Sequence, residues 1–364
     1  MRVLHVITSG EHGGAQVHVV ELVTQLQHAG IDCAVACGPG SWLAATLHGQ
    51  VRVDEVPTLR RAIAPWSDLR ALWQLARLAR SCDIVHTHSA KAGFLGRAAA
   101  FLAGRPFVHT SHGSFFGEPM SPIRRAILIA AERLVAGRTA HLFVLSNSDL
   151  DLLRRHGLYG KVPFSVIRVP TERMRRPPGV WTQPVGEPVV VTVANLYPNK
   201  AIDLLLSAFA EVQRHVSGVS LTIVGDGPER EGLVALARRV SGEAIRFAGR
   251  VEDPSANILS GSVFVLSSRK EGVPLALLEA LALGVPSVAT AVGGVPEHVR
   301  GDEAMLVPAD AAALAHAIID LLRDPDRAAD LGCRGRQAAG RYVSGSTLDP
   351  LIAAYRGAVD ARGR

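Results

Sequence analysis

Aromatic side chains are scarce in this chain, with four tryptophans and four tyrosines in 364 residues. That leaves no ladder of rings on which single-stranded nucleic acid would stack. The four cysteines, Cys33, Cys37, Cys82 and Cys333, make neither a C-x-x-C pair nor a Cys/His cluster with zinc spacing. They read as reduced thiols of a cytoplasmic protein rather than as a disulfide frame or a metal knuckle. The longest uncharged stretch, residues 280–296, is interrupted by Gly284, Pro286, Gly293 and Gly294, so it is no membrane-spanning helix. The opening apolar run Val3-Leu4-His5-Val6-Ile7 has the length of a strand and no leader-like apolar core. It leads to Gly13-Gly14 and not to a Gly-x-Gly-x-x-Gly turn, which argues against a nicotinamide cofactor. Lysine is nearly missing as well: 35 of the 39 basic residues are arginine.

What is present fits two α/β domains. The length suits two units of about 150–200 residues, and a hydrophobic content of 48% can fill two cores. Strand-like runs at 3–8, 32–37, 84–88, 107–111, 141–146 and 164–169 alternate with helical runs. Residues 170–188 break the pattern with five prolines among arginine and glycine, as an interdomain linker would. The alternation restarts at 189–193 and continues through 220–224, 245–247, 263–266, 287–289 and 305–307. Such alternation predicts βαβ units and parallel sheets. Charge is lopsided: residues 1–180 hold 21 basic against 12 acidic residues, and residues 181–364 hold 18 against 21. A basic half attracts anionic surfaces or acceptors, and an arginine-rich composition alone produces the same sign. No nucleic-acid-binding motif accompanies it, so no nucleic-acid partner is expected.

The chemistry concentrates at Ser268-Arg269-Lys270-Glu271-Gly272-Val273-Pro274-Leu275-Ala276-Leu277-Leu278-Glu279-Ala280. Two carboxylates stand eight residues apart across a Gly-x-Pro turn that opens an apolar helix. A helix N-terminus offers unpaired N–H groups and a positive dipole end to a phosphate. Glu271 falls in the turn before those donors. Glu279 falls one to two turns inside, where a carboxylate suits a vicinal diol such as a ribose. The pattern predicts a cradle for a nucleotide carrying a sugar. Gly13 and Gly14 precede a helix that can aim at a phosphate. His112 ends the strand-like run His109-Thr110-Ser111, where a histidine can bind a sugar hydroxyl. His86 and His88 end another strand and read better as core packing than as functional groups. Lys200, in a loop after a strand, can neutralise a diphosphate. Asp149-Leu150-Asp151 matches a metal-binding D-x-D but follows Ser146-Asn147-Ser148, and reads better as acids in a capped first helical turn.

The Glu271–Glu279 segment resembles the E-x7-E signature of retaining GT-B glycosyltransferases, specifically the GT4 family, glycosyltransferase group 1. The resemblance extends in family order over nearly the whole chain. It takes in Gly13-Gly14-Ala15-Gln16, His109-Thr110-Ser111-His112-Gly113, the stretch from Val193 to Lys200, Gly225-Asp226-Gly227-Pro228-Glu229, Phe247-Ala248-Gly249-Arg250 and Gly293-Gly294-Val295-Pro296-Glu297. It implies two Rossmann-like doubly wound domains facing a cleft. Residues 1–170 would bind the acceptor, 171–187 would link, 188–345 would bind the nucleotide sugar, and 346–364 would cross back to the first domain. The activity implied is retaining, metal-independent transfer from a nucleotide-diphosphate sugar, UDP-sugar before GDP-sugar, to a saccharide or lipid-linked acceptor. Glu271, His112 and Lys200 take catalytic roles by this resemblance. The donor would meet Gly13, Gly14, Asn195, Lys200, Gly225, Arg250, Glu271, Gly272, Val273, Leu275 and Glu279.

One position departs from the family. Ala194-Asn195 stands where a Gly-Arg pair is common, which removes a phosphate-binding cation. Arg269, Lys270 or an uncharged hydrogen bond from Asn195 are the replacements at hand. The loss also keeps a catalytically silent nucleotide-sugar-binding protein in view, beside an epimerase of the same fold. Finally, residues 124–134 carry Arg124, Arg125 and Arg133 beside apolar positions at helical spacing. They motivate an expectation of peripheral contact with the inner face of an anionic membrane, against the plainer reading of a core-facing helix with a basic edge.

Overall fold

The computed structural model describes residues 1–112, 121–344 and 348–362. Gly113, the Arg124 side chain and the ends of the 346–364 segment, all named above, lie outside the described residues. The chain divides into two units, Met1–Val169 with Ser346–Arg364, and Pro170–Gly345.

The first unit is built on seven strands: β1 (Arg2–Ile7), β2 (Asp32–Cys37), β3 (Arg52–Glu55), β4 (Ile84–His88), β5 (Phe107–Ser111), β6 (Leu142–Val144) and β7 (Phe164–Val166). All pair in parallel, in the order β3-β2-β1-β4-β5-β6-β7. Central strands of such a sheet are covered on both faces, so they read as unbroken buried runs. β4 and β5 are buried at every position, even though they spell Ile-Val-His-Thr-His and Phe-Val-His-Thr-Ser. β3 was not expected from the sequence. As an edge strand reading Arg-Val-Asp-Glu it exposes both ends and carries no apolar run to betray it. The helix Leu348–Asp360 belongs to this unit and buries Tyr355 against His86, whose Nδ1 lies 2.5 Å from the phenol oxygen.

The second unit holds β8 (Val189–Val193), β9 (Ser220–Val224), β10 (Ile245–Gly249), β11 (Val263–Leu266), β12 (Ser287–Thr290) and β13 (Met305–Val307). They are parallel in the order β10-β9-β8-β11-β12-β13. One face buries Leu205, Phe209 and Ile318 against the sheet; the other buries Leu277, Leu281 and Tyr342. Residues 171–187, read from their prolines as a linker, fold onto this unit. Glu172–Arg175 forms a helical turn, Met174 is buried beside Ile258 and Leu277, and Trp181 Nε1 donates to Gly261 O at 2.7 Å. The prolines interrupt helix and ladder there without freeing the chain.

Candidate active site

In an open parallel sheet, ligands bind beyond the strand C-termini where the strand order reverses. In the second unit that point lies between β8 and β11. The loops leaving these two strands carry Asn195 to Lys200 and Ser267 to Pro274, and they are tied together. Arg269 N donates to Asn199 O at 2.8 Å, and Ser267 Oγ donates to Lys200 O at 3.1 Å. Lys200 closes a 3₁₀ turn, Pro198–Lys200, and the buried Ala201 after it adopts a left-handed φ of 50°. Non-glycine residues seldom take that conformation, and here it swings the loop so that Lys200 Nζ reaches Glu271 Oε1 at 2.6 Å. Ser268 Oγ donates to the same oxygen at 2.6 Å. Glu271 is buried, and its Oε2 accepts no hydrogen bond among the described residues.

The turn after Glu271 is shaped by the glycine at 293, whose φ is +52° and where a Cβ would lie 2.1 Å from Glu271 O. Gly272 and Val273 are half-buried in the turn, and Leu275 begins the helix Leu275–Leu283. Pro274 is its N-cap and among the described residues no side chain caps it; Leu275 N donates to Val273 O at 3.0 Å, which leaves the Ala276 and Leu277 amides of the first turn to a ligand. The helix is buried from Leu277 to Leu283, with Glu279 inside that run. Burial raises the Glu279 pKa above the ordinary carboxylate range, and Arg173 and Thr171 oppose the shift. Thr171 Oγ1 donates to Glu279 Oε1 at 2.9 Å, and Arg173 Nη1 lies 3.4 Å from the same atom. Arg173 is itself held by Asp253 Oδ1 at 3.2 Å and by Glu252 O at 2.7 Å. Glu279 Oε2, like Oε2 of Glu271, accepts no hydrogen bond among the described residues. Thr171, Arg173 and Ser268 were not anticipated as parts of the site. Ser268 stood three residues from Glu271, but Arg173 is 106 residues from Glu279 and lay in the supposed linker.

The remaining donor-side residues are placed less directly. Gly225 has φ +134° and a Cβ there would meet Ala194 O at 1.9 Å, so only glycine lets the loop after β9 close on the 194–196 segment. Asn195 is half-buried in that segment, and Arg250 is exposed just past β10. Arg269, one of the three candidates to replace the missing family arginine, already has a partner. Its guanidinium is engaged by both oxygens of Asp203, at 2.9 and 2.7 Å.

In the first unit the switch point lies between β1 and β4. There Thr8 Oγ1 and Ser89 Oγ are 2.8 Å apart, with Ser89 at a left-handed φ of 63°. Gly13 is the N-cap of the helix Gly14–His28. A Cβ on Gly14 would meet open space, and one on Gly13 would strike the Gln16 side-chain oxygen at 2.7 Å. Below them lies a histidine chain. His112 Nε2 is 3.0 Å from His88 Nδ1, and His88 Nε2 is 3.1 Å from His5 Nδ1. His18 stands edge-on to His112, with ring centroids 4.7 Å apart. His86 uses both nitrogens, on Tyr355 and on Thr110 Oγ1. Burial depresses the pKa of all these rings, to about 3 at His5 and about 4 at His18, so they are neutral near pH 7. Among the described residues, His5, His86 and His88 bring three ligand atoms within 4.8 Å of one another. Their nitrogens are largely committed to each other, to Tyr355 and to Thr110. Asp149 sits in the first turn of Asn147–Arg155, where its N–H donates to the N-cap Ser146 Oγ at 3.2 Å.

Comparison with known proteins places the chain in a family. Residues 187–324 match the family described as Glycosyl transferases group 1, and residues 13–170 match the Glycosyl transferase 4-like domain. The chain is 30% identical over 377 residues to the GDP-mannose-dependent alpha-(1-6)-phosphatidylinositol monomannoside mannosyltransferase of Mycobacterium tuberculosis, covering 96% of each. It is 29% identical over 316 residues to the UDP-Gal:alpha-D-GlcNAc-diphosphoundecaprenol alpha-1,3-galactosyltransferase of Escherichia coli, covering 81% of this chain and 80% of that one. Among solved structures, the Anabaena protein HepE in complex with UDP and glucose superposes with a TM-score of 0.82 at 20% identity, over 97% of this chain and 98% of that one. Sucrose-phosphate synthase of Thermosynechococcus elongatus superposes with a TM-score of 0.78 at 22% identity, over 99% and 100%.

Proposed function

The chain belongs to the GT4 family of group 1 glycosyltransferases, with the GT-B fold, and on that premise we propose that it moves a hexosyl group from a UDP- or GDP-sugar to a saccharide or lipid-linked acceptor, with retention and without a metal ion. The observation that carries this reading is the meeting of Lys200 and Glu271 at the switch point of the second sheet, just before an uncapped helix N-terminus. Glu279 Oε2 holds the ribose diol. The first-turn amides of Leu275–Leu283 and Lys200 take the diphosphate, where negative charge grows as the glycosidic C–O bond breaks. Glu271 Oε2 holds the transferred sugar. The acceptor hydroxyl bonds to the anomeric carbon from the leaving-group face, and its proton passes to the departing phosphate oxygen. No side-chain base is then required. His112, neutral and fixed in the first unit, serves a hydroxyl or phosphate oxygen as a hydrogen-bonding group.

The two curated relatives described above carry acceptor names, phosphatidylinositol monomannoside and GlcNAc-diphosphoundecaprenol, that are lipid-borne. This supports a lipid-linked acceptor and peripheral contact with a membrane. Incubation with a panel of UDP-, GDP- and ADP-sugars tests the activity. Nucleotide release that rises when an acceptor is added is the expected result. An isomerised sugar nucleotide without release would make the protein an epimerase, and binding without turnover would make it a silent binding protein.

A further inference from the structure

The helix Pro65–Ala79 is built the wrong way round for a helix whose outer face meets only water. Its buried stripe is Ala71, Leu75, Ala76 and Ala79, so three of the four side chains turned into the core are alanine. Its largest side chains point out. Trp66 is 81% exposed, Trp73 58% and Leu69 46%, and Ile63 in the turn just before it is 57% exposed. Positions 66, 69 and 73 follow the spacing of a single helical face. Scattered exposed apolar residues are ordinary on a protein surface, but two tryptophans and a leucine in register on one helix are a patch.

The charge around that patch has one sign. Between residues 60 and 80 the sequence has five arginines, Arg60, Arg61, Arg70, Arg77 and Arg80, and a single acid. All five arginines are exposed. The single acid, Asp68, is turned inward: it accepts from Ala64 N at 3.1 Å and pairs with Lys91 at 2.5 Å. An indole has an apolar body and one polar N–H, and it settles at the boundary between headgroups and acyl chains. Arginine heads beside it complement anionic headgroups, and their stems lie along the apolar boundary. By contrast the helix Pro122–Ala136, to which the basic run first pointed, exposes Ile123, Ile127 and Leu134 but no aromatic ring, and its Arg133 is bonded to His156 O.

We propose that the face formed by Ile63, Trp66, Leu69 and Trp73, with its flanking arginines, lies on the surface of a bilayer carrying anionic headgroups. The proposal rests on the reading of a lipid-linked acceptor. It moves the membrane contact from the helix at 122–136 to the helix at 65–79.

The test is binding of the full chain to vesicles of phosphatidylglycerol with phosphatidylcholine, and to phosphatidylcholine alone, by co-sedimentation at low and moderate salt. The wild-type protein is expected to bind the anionic vesicles, more weakly as salt rises, with Trp66 and Trp73 emission quenched by lipids brominated in the acyl chain. Trp66→Ser with Trp73→Ser should weaken vesicle affinity at least tenfold, with Trp42 and Trp181 left as the emission background. Arg70→Glu with Arg77→Glu should abolish the preference for anionic lipid, and guards against reading a misfolded tryptophan variant as a lost contact. Nucleotide release from the sugar panel, measured on the same preparations, should be unchanged in both variants. Three outcomes would overturn the proposal: no vesicle binding by the wild type, equal binding by the tryptophan variant, or a wild-type dimer that those substitutions split without any vesicle binding. Release that persists alongside any of these would leave the transferase reading intact.

Discussion

Lys200 Nζ lies 2.6 Å from Glu271 Oε1, and Ser268 Oγ reaches that same oxygen at 2.6 Å. The lysine that the resemblance assigned to the diphosphate is thus paired to the carboxylate assigned to the sugar. The pair is neutral as it stands and three-quarters or more shielded on both sides. A donor that places its diphosphate beside Lys200 and its sugar beside Glu271 would be gripped by the two halves of one ion pair. The short connection between them also fixes the relative position of sugar and phosphate, which is where orientation affects rate.

Replacing Lys200 with alanine should therefore lower turnover more than donor affinity, because charge on the leaving diphosphate is greatest in the transition state. A loss of about 100- to 1000-fold in kcat is expected, as for removal of one preorganised donor to a developing anion. Steady-state kinetics at saturating donor measure it. Wild-type kcat would pass the role to another cation, and Arg250, exposed past β10, would precede Arg269, which is held by Asp203.

Glu279→Gln should weaken binding of the free nucleoside diphosphate about tenfold, since a charged hydrogen bond contributes roughly 1.5–3 kcal/mol and the amide keeps part of it. Arg173→Met should act in the same direction by releasing the carboxylate it helps hold. The raised Glu279 pKa adds a pH signature. Affinity should begin to fall on acidification at a higher pH than an ordinary carboxylate would dictate, and Glu279→Gln should flatten that fall. Calorimetric titration across pH measures both. Unchanged affinity in Glu279→Gln would take the ribose away from this residue.

Much of this site was legible because its parts are local in sequence. Glu271, the Gly-x-Pro turn and Glu279 occupy nine consecutive positions, and the helix start between them follows from proline and an apolar run. The strands that carry the site also stood out, since Val263–Leu266 is an unbroken apolar run and Val189–Val193 is interrupted only by Thr192, as strands covered on both faces read. Arg173 left no such signal. Its partner lies on a different element, and prolines around it pointed to an open linker. The link from His88 to His5 was hidden for another reason: a buried histidine in a strand looks like any core residue until its neighbour across the sheet is known. β3 escaped because an edge strand does not need an apolar sequence.

Chelation should leave activity largely intact. Asp149 is in the first turn of a helix capped by Ser146, and its chemistry there is that of a helix-terminal acid. Activity after treatment with EDTA and desalting is the measurement. Complete loss restored by Mg2+ or Mn2+ would reassign Asp149 and Asp151 to a metal.

Acid should destabilise the first unit well before carboxylates titrate. His5 has a pKa of about 3 when folded against 6.5 as the reference, and His18 about 4. Between pH 6.5 and those values the unfolded chain binds protons that the folded unit does not, so stability falls as pH falls through that window. Each such histidine contributes a slope of about 1.4 kcal/mol per pH unit once below its unfolded pKa. Urea midpoints at pH 7 and pH 5 should separate accordingly, and His5→Asn should narrow the difference. A wild-type midpoint independent of pH over this range would mean that the rings are protonated in the folded state.

The histidine chain also predicts which group His112 presents. All three rings are neutral, so each contact in His112–His88–His5 holds one hydrogen. His5 Nε2 is buried with no partner among the described residues. An orphaned N–H is harder to accommodate than an unused lone pair, so the hydrogen of His5 belongs on Nδ1, donated to His88 Nε2. His88 must then donate from Nδ1 to His112 Nε2, and His112 carries its own hydrogen on Nδ1. It therefore offers a donor, suited to an oxygen of the substrate, and the two rings behind it fix that choice. His112→Ala should reduce turnover about 100-fold. His88→Phe, which removes the acceptor and donor behind His112 while keeping a ring, should cost less, about tenfold, and should mix the tautomers of His112. Nitrogen-15 NMR of ring-labelled histidine reads the tautomer directly. A wild-type His112 protonated on Nε2 would reverse the chain, and the ring would then offer a lone pair to a hydroxyl in place of a hydrogen.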